Sequence, residues 1–146
     1  MSTVTEADEP FARLADERYI SITTFRRDGS PASTPVWVVS DDHRRLLVAT
    51  GAETWKVRRI KSNPRVRVAA CNARGKAHGA SVNGVARLVD EEELVRRLQR
   101  DKYGWQMRLL ERLNGLVRRI TRKDPPEAAF IEIVAAPEAE GEDAAT

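Results

Sequence analysis

Punctuation constrains this 146-residue chain more than any other feature. Short runs of alternating apolar and polar residues are separated by compact turn signals, and most gaps are too brief for helical crossovers. Residues 19–25 (YISITTF) alternate with Ile20 and Ile22 on one face, and Asp28-Gly29 marks a hairpin turn. The returning run, 31–39 (PASTPVWVV), contains Pro31 and Pro35, which cannot donate ladder hydrogen bonds. An internal proline marks an edge strand, a bulge, or a backbone that serves something other than the sheet. Asp41-Asp42-His43 turns the chain into 45–50 (RLLVAT), which ends at Gly51. Residues 65–71 (RVRVAAC) and 81–89 (SVNGVARLV) flank a turn at Gly75, and Gly84 predicts a bulge or a close backbone approach. The last run is 128–135 (AAFIEIVA).

Helical periodicity fills the remaining segments. In 10–17, Pro10 suits a first helical position, and Phe11, Leu14 and Ala15 share a face. In 53–62, Val57 and Ile60 share a face until Asn63-Pro64 stops the helix. Asp90 predicts an N-cap, with Glu91, Glu92 and Glu93 favourably placed in the first turn and Leu94, Val95 and Leu98 as the apolar stripe. Tyr103-Gly104 interrupts that helix. A second, over 105–119, aligns Leu109, Leu113, Leu116 and Val117, with Ile120 continuing the face up to Asp124-Pro125-Pro126. The order α-β-β-β-α-β-β-α-α-β predicts an α+β domain: about six antiparallel strands forming a small barrel with peripheral helices. It spans residues 10–136, between an acidic N-terminal tail (1–9) and an acidic, disordered C-terminal tail (137–146).

Charge sharpens the functional classes. The formal net charge is +3, yet residues 1–17 and 138–146 hold nine of the 22 acids and one of the 25 bases. That leaves 24 bases and 13 acids between them, a body of +11 that calls for an anionic partner. One cysteine, Cys71, excludes an intramolecular disulfide and a Cys-rich zinc site. No apolar run approaches the ~18 residues of a membrane span, and the acidic start lacks a signal-peptide core, so a cytoplasmic protein is expected. His43 and His78 lie in turn contexts and read as solvated. Aromatic stacking residues are too few to favour a nucleic-acid module.

Three clusters can carry chemistry. In 50–61 (TGAETWKVRRIK), Thr50 ends a strand, a helix starts near Thr54, and Lys56 and Arg59 are three residues apart. Helix amides, hydroxyls and two cations make a phosphate cradle, although a solvated basic face gives the same spacing. In 33–37 (STPVW), Pro35 interrupts a strand beside two hydroxyls and Trp37; a flat ring can lie there, or the segment is an edge strand with a core tryptophan. In 102–106 (KYGWQ), Tyr103 and Trp105 flank a glycine and either line a pocket or a dimer seam, or pack two helices. No nucleophile–base pairing or carboxylate pair stands out and no metal site is read, so any catalysis requires a bound cofactor.

Taken together, YISITTFRRDGSPASTPVWVVSDD, LLVATGAETWKVRRIKSNPRVRVAAC and GVARLVDEEE resemble the pyridoxamine 5'-phosphate oxidase-like (PPOX class) split-barrel family, over roughly residues 11–135. Within it the chain is most similar to the F420-dependent oxidoreductase branch (FDOR-B type). The resemblance implies a six-stranded split β-barrel (the FMN-binding split barrel) acting as a homodimer, with coenzyme F420 as cofactor and FMN as the alternative. It implies a cofactor phosphate near Thr50, Thr54, Lys56 and Arg59, flanked by Trp55, and a ring along Ser33, Thr34, Pro35, Val36 and Trp37. It implies hydride transfer between reduced deazaflavin and an electron-poor small molecule, with no protein side chain as acid or base. Tyr103 and Trp105 are candidates for the substrate side. The coenzyme's oligoglutamate tail is a polyanion that a +11 body attracts by long-range steering. A non-catalytic cofactor- or nucleic-acid-binding protein is the remaining alternative.

Overall fold

The first hairpin forms where the Asp-Gly signal places it. β1 (Tyr19–Phe25) and β2 (Pro31–Trp37) run antiparallel in unbroken register from Tyr19↔Trp37 to Phe25↔Pro31. Gly29 turns the chain at φ +89°, and the Asp28 carboxylate accepts hydrogen bonds from the Ser30 N–H (3.0 Å) and hydroxyl (2.7 Å). The computed structural model describes residues 8–122 and 127–137; both acidic tails, apart from their edges, and the Asp124-Pro125-Pro126 signal lie outside these.

After the hairpin come β3 (Arg45–Gly51), α2 (Trp55–Ser62), β4 (Arg65–Ala70), β5 (Val82–Val89), α3 (Glu92–Tyr103), α4 (Trp105–Thr121) and β6 (Ala128–Ala135), with α1 (Asp8–Ala15) preceding β1. All strand pairs are antiparallel, in the order β2-β1-β4-β5-β6-β3. The sheet curls but does not close. Its two edges, β2 and β3, meet only at one rung just beyond β2, where Val39 and Leu47 exchange hydrogen bonds of 3.0 and 2.8 Å. The architecture is therefore α+β, as the pattern predicts, and split, as the family resemblance implies.

Two cores hold the sheet. Alternation points Ile20, Ile22, Leu46, Val48, Val66, Val68, Ile131 and Ile133 inward, where Phe11 and Leu14 of α1 and Ile60 of α2 cover them. On the outer face, Val95 and Tyr103 of α3 pack against Val39, Leu47 and Phe130.

Three local expectations change. Gly84 forms no bulge, since β5 keeps its register with both neighbours. It is instead a close approach: a Cβ there would lie 2.9 Å from Ile133 Cγ2, 3.1 Å from the Val134 carbonyl oxygen and 3.2 Å from the Phe11 ring. Asp90 is not the N-cap of α3. Glu91 holds that position without a side-chain cap, because its carboxylate is taken by Arg45 at 2.8 and 3.0 Å. Pro10 sits in the first turn of α1 and does not begin it.

Candidate functional site

The split originates in β2. Backbone groups of successive strand residues point to opposite sides, and Val39 bonds β3, so Trp37, Pro35 and Ser33 direct their backbone polar groups toward the split. The next rung, Trp37 with Ala49, is not made; the edges diverge from Val39–Leu47 onward. Continued one step further, the register would set Pro35 opposite Gly51, where proline has no N–H to offer. The Gly51 carbonyl instead accepts from the Thr54 N–H (3.2 Å) and the Thr54 hydroxyl (3.0 Å).

The candidate residues of β2 divide between its faces. Thr34 and Val36 face the barrel interior, Val36 packed on the core. The Thr34 hydroxyl oxygen is buried without a partner, as is that of Thr24 diagonally across on β1. Ser33 and Pro35 are exposed on the outer face, and the Ser33 hydroxyl is 2.6 Å from that of Thr23. Buried hydroxyls ordinarily find partners, so two orphans at one end of the barrel mark a place able to take a polar group.

That same end is closed by α2, because α2 links the end of β3 to the start of β4. Val57 and Ile60 face inward and are buried. Thr54 is the N-cap, but its hydroxyl proton goes to Gly51, so no side chain caps the first amides. Lys56 is half-buried, and no carboxylate of the described residues pairs with it. Burial, then the neighbouring Arg59, pushes its ammonium below the usual lysine range. Trp55 is 64% exposed, with the Arg58 and Arg59 guanidinium groups 5.0 and 5.8 Å from its ring centre. A desolvated cation without a counter-ion, a second cation one turn on and the first amides of α2 form a donor set; the neighbouring acid, Glu53, is exposed and lies 4.0 Å from Arg58. This set fits a phosphate.

Trp37 and Tyr103 come together, but not around an opening. Their rings stack at 4.3 Å and 9°, and Tyr103 is 2% exposed. Its hydroxyl accepts from the Val38 N–H (3.0 Å) and donates to the Arg18 carbonyl (2.7 Å). Val38 and Arg18 are where the next β1–β2 rung would fall, so the phenol stands in for that rung. Burial pushes its pKa up to about 12. Its contacts pack the end of α3 against β1 and β2 and are not between two helices. Trp105 is not brought to it: it opens α4 at 69% exposure. Sequence reasoning missed Lys102, whose ammonium donates to the carbonyls of Ala15 (2.9 Å), Glu17 (2.6 Å) and Val38 (2.7 Å). Only its place beside Tyr103 hinted at this.

Elsewhere on the outer face, Arg45 bonds Asp41, Glu91 and Glu132, and Arg87 bonds Glu132 at 2.6 Å. This network lies outside the split and ties β3, β5 and β6 to the start of α3. A concavity of about 780 Å³ on α3, lined by Glu92, Glu93, Arg96 and Arg100, contains none of the candidate residues.

Known proteins share this fold. A family model described as pyridoxamine 5'-phosphate oxidase matches residues 4–138. An F420 reductase superposes with a TM-score of 0.58 at 19% identity, covering 88% of this chain and 94% of the other. A Listeria innocua protein described as a candidate pyridoxamine 5'-phosphate oxidase gives 0.56 at 20% identity, covering 90% and 94%. A pyridoxamine 5'-phosphate oxidase-related, FMN-binding protein from Nostoc punctiforme gives 0.52 at 15% identity, covering 88% and 76%. No curated protein sequence matches the chain. At these identities the structural likeness is one of fold. The family match spans both the split and the α2 cradle, and the chain belongs to the pyridoxamine 5'-phosphate oxidase family.

Proposed function

We propose that this chain is an F420-dependent oxidoreductase. The observation that carries the reading is Lys56: a half-buried cation without a carboxylate among the described residues, in the first turn of the helix that follows the β3 edge of the split. Leaving such a group without an anion is costly. Lys56, Arg59 and the first amides of α2 hold the cofactor phosphate, with the Thr50 hydroxyl adjacent. The backbone of Ser33, Pro35 and Trp37 lines the split where the ring lies, and the orphaned Thr34 hydroxyl on the inner face is free to take a polar group. A second copy of the chain completes each site.

When bound, the deazaflavin supplies a hydride at ring carbon five for an electron-poor small molecule. The chain's own part is to bind, orient and exclude water. The Trp37 side chain is held on the outer face by its stack on Tyr103. The phosphate chemistry is common to FMN, and the FMN-binding relative keeps that cofactor as a second reading. The +11 body favours the more anionic of the two.

Titrating each cofactor against tryptophan fluorescence tests the proposal. The expected result is tighter binding of coenzyme F420 than of FMN, weakened roughly 5- to 150-fold by Lys56→Ala, the loss of one charge-assisted hydrogen bond. Purified protein that carries a two-banded flavin spectrum and ignores coenzyme F420 overturns it.

A further inference from the structure

The segment that the site does not absorb is α4. Its first turn is tied to the body: Met107 is 2% exposed, and the Arg18 guanidinium donates to the Gln106 side-chain oxygen. Beyond it every residue from 108 to 122 is exposed. Leu109, Leu110, Leu113, Leu116, Val117 and Ile120 are all 42–70% exposed. At 3.6 residues per turn they form one stripe with Trp105 at its edge, and Met107 lies roughly 120° around the helix from Leu113. Gln106, bonded to Arg18, lies only about 20° from Leu113; the stripe thus starts beside the body, and the exposures from Leu109 to Ile120 show that the body leaves it uncovered.

The polar flank is basic. Arg108, Arg112 and Arg119 fall side by side along one edge of the stripe, Arg122 lies opposite it, and Glu111 is the one acid between 105 and 122. Isolated helices of this length are marginal in water, so the apolar face needs a cover. The 4-3-4 spacing of Leu109, Leu113, Leu116 and Ile120 would also suit a twin helix. A twin, however, would set two arginine-rich flanks together with almost no acid to balance them. No helix of the described residues is long and apolar enough to cross a membrane. We infer that α4 is a docking surface for an anionic lipid bilayer, lying in the interface with its leucine stripe and Trp105 in the acyl boundary and its arginines against the headgroups. An amphipathic helix with tryptophan and leucine on one face and arginine on the other has the composition of such interfacial helices.

Co-sedimentation of the full chain with phosphatidylcholine vesicles, with and without roughly 30 mol% phosphatidylglycerol, tests this. Binding is expected only to the anionic vesicles, falling at least about tenfold in Leu113→Glu and in the triple variant Arg108→Gln, Arg112→Gln, Arg119→Gln. Both variants change exposed residues, and circular dichroism should show helix content equal to the wild type. Independently, brominated acyl chains should quench tryptophan emission in the wild type, and Trp105→Phe should remove that quenching. Binding to neither vesicle, or equal binding to both, overturns the inference. So does a dimer in light scattering that Leu113→Glu turns into monomer while leaving vesicle binding unchanged, because a second copy then covers the stripe.

Discussion

Tyr103→Phe removes one oxygen atom and tests whether that phenol acts in the packing or at a substrate surface. The hydroxyl joins the Val38 N–H, 3.0 Å away, to the Arg18 carbonyl, 2.7 Å away, in place of a β1–β2 rung. Phenylalanine keeps the stack on Trp37 but leaves a buried amide without an acceptor. Losing the net hydrogen bond costs about 1 kcal/mol, and stranding the buried N–H a further 1–3 kcal/mol, so the variant should lose about 2–4 kcal/mol. At roughly 3–4 °C per kcal/mol for a domain of this size, Tm falls by about 6–16 °C. Urea unfolding followed by circular dichroism should show the lower midpoint with an unchanged slope. Cofactor affinity per folded molecule stays the same. A loss below about 0.5 kcal/mol, or a variant of normal stability that fails to turn over, refutes the packing role.

Other predictions follow from the same contacts. The folded-state pKa of Tyr103 is raised to about 12, so its stabilisation is full below the ordinary tyrosine range and is lost as pH rises through that value; ultraviolet titration should show one of the two tyrosines ionising only as the protein unfolds. Glu132 is held below the usual carboxylate range, first by Arg87 and also by Arg45. Its contribution is present above that range and lost as pH falls beneath it, and Glu132→Gln should flatten the acid limb of urea midpoints measured from neutral pH downward. Because Lys56 is depressed by burial, phosphate-bearing ligands should bind progressively more weakly as pH rises toward the ordinary lysine range, and the trend should vanish in Lys56→Ala. Gly84→Ala forces a Cβ against Ile133 and the Val134 carbonyl and should cost about 1–3 kcal/mol by overpacking, read as a lower urea midpoint.

The sheet was legible because each strand carries its own alternation and each turn its own chemistry; Asp28-Gly29 needs nothing distant to form. Pro35 was legible as an oddity, since a missing N–H is a property of the residue itself. What depends on partners far along the chain was not. Tyr103 and Lys102 reach groups 64–87 residues away, and nothing in KYGWQ distinguishes a phenol that replaces a ladder rung from one that lines a pocket. Asp90 is a good capping residue, but which residue caps was decided by Arg45, which captures Glu91. Helical spacing revealed the amphipathic stripe of α4 and could not say that the body leaves it uncovered.

Thr54 separates the role of a residue's type from the role of its contacts. Beside Lys56, a threonine reads as a phosphate ligand. Yet a hydroxyl has one proton, and Thr54 donates it to the Gly51 carbonyl (3.0 Å between oxygens), which Pro35 cannot serve across the split. Toward an anion the oxygen then offers only lone pairs. Thr54→Val keeps the shape and removes the proton; the carbonyl retains the Thr54 N–H at 3.2 Å, so the cost should be about 1 kcal/mol of stability. Affinity for coenzyme F420, measured by fluorescence titration, should change less than about twofold, against the far larger loss expected for Lys56→Ala. A loss of about tenfold or more in Thr54→Val would show that the hydroxyl leaves Gly51 for the phosphate on binding. The edge of β3 would then be held open by the ligand, and the split would not be fixed by Pro35 and Thr54 alone.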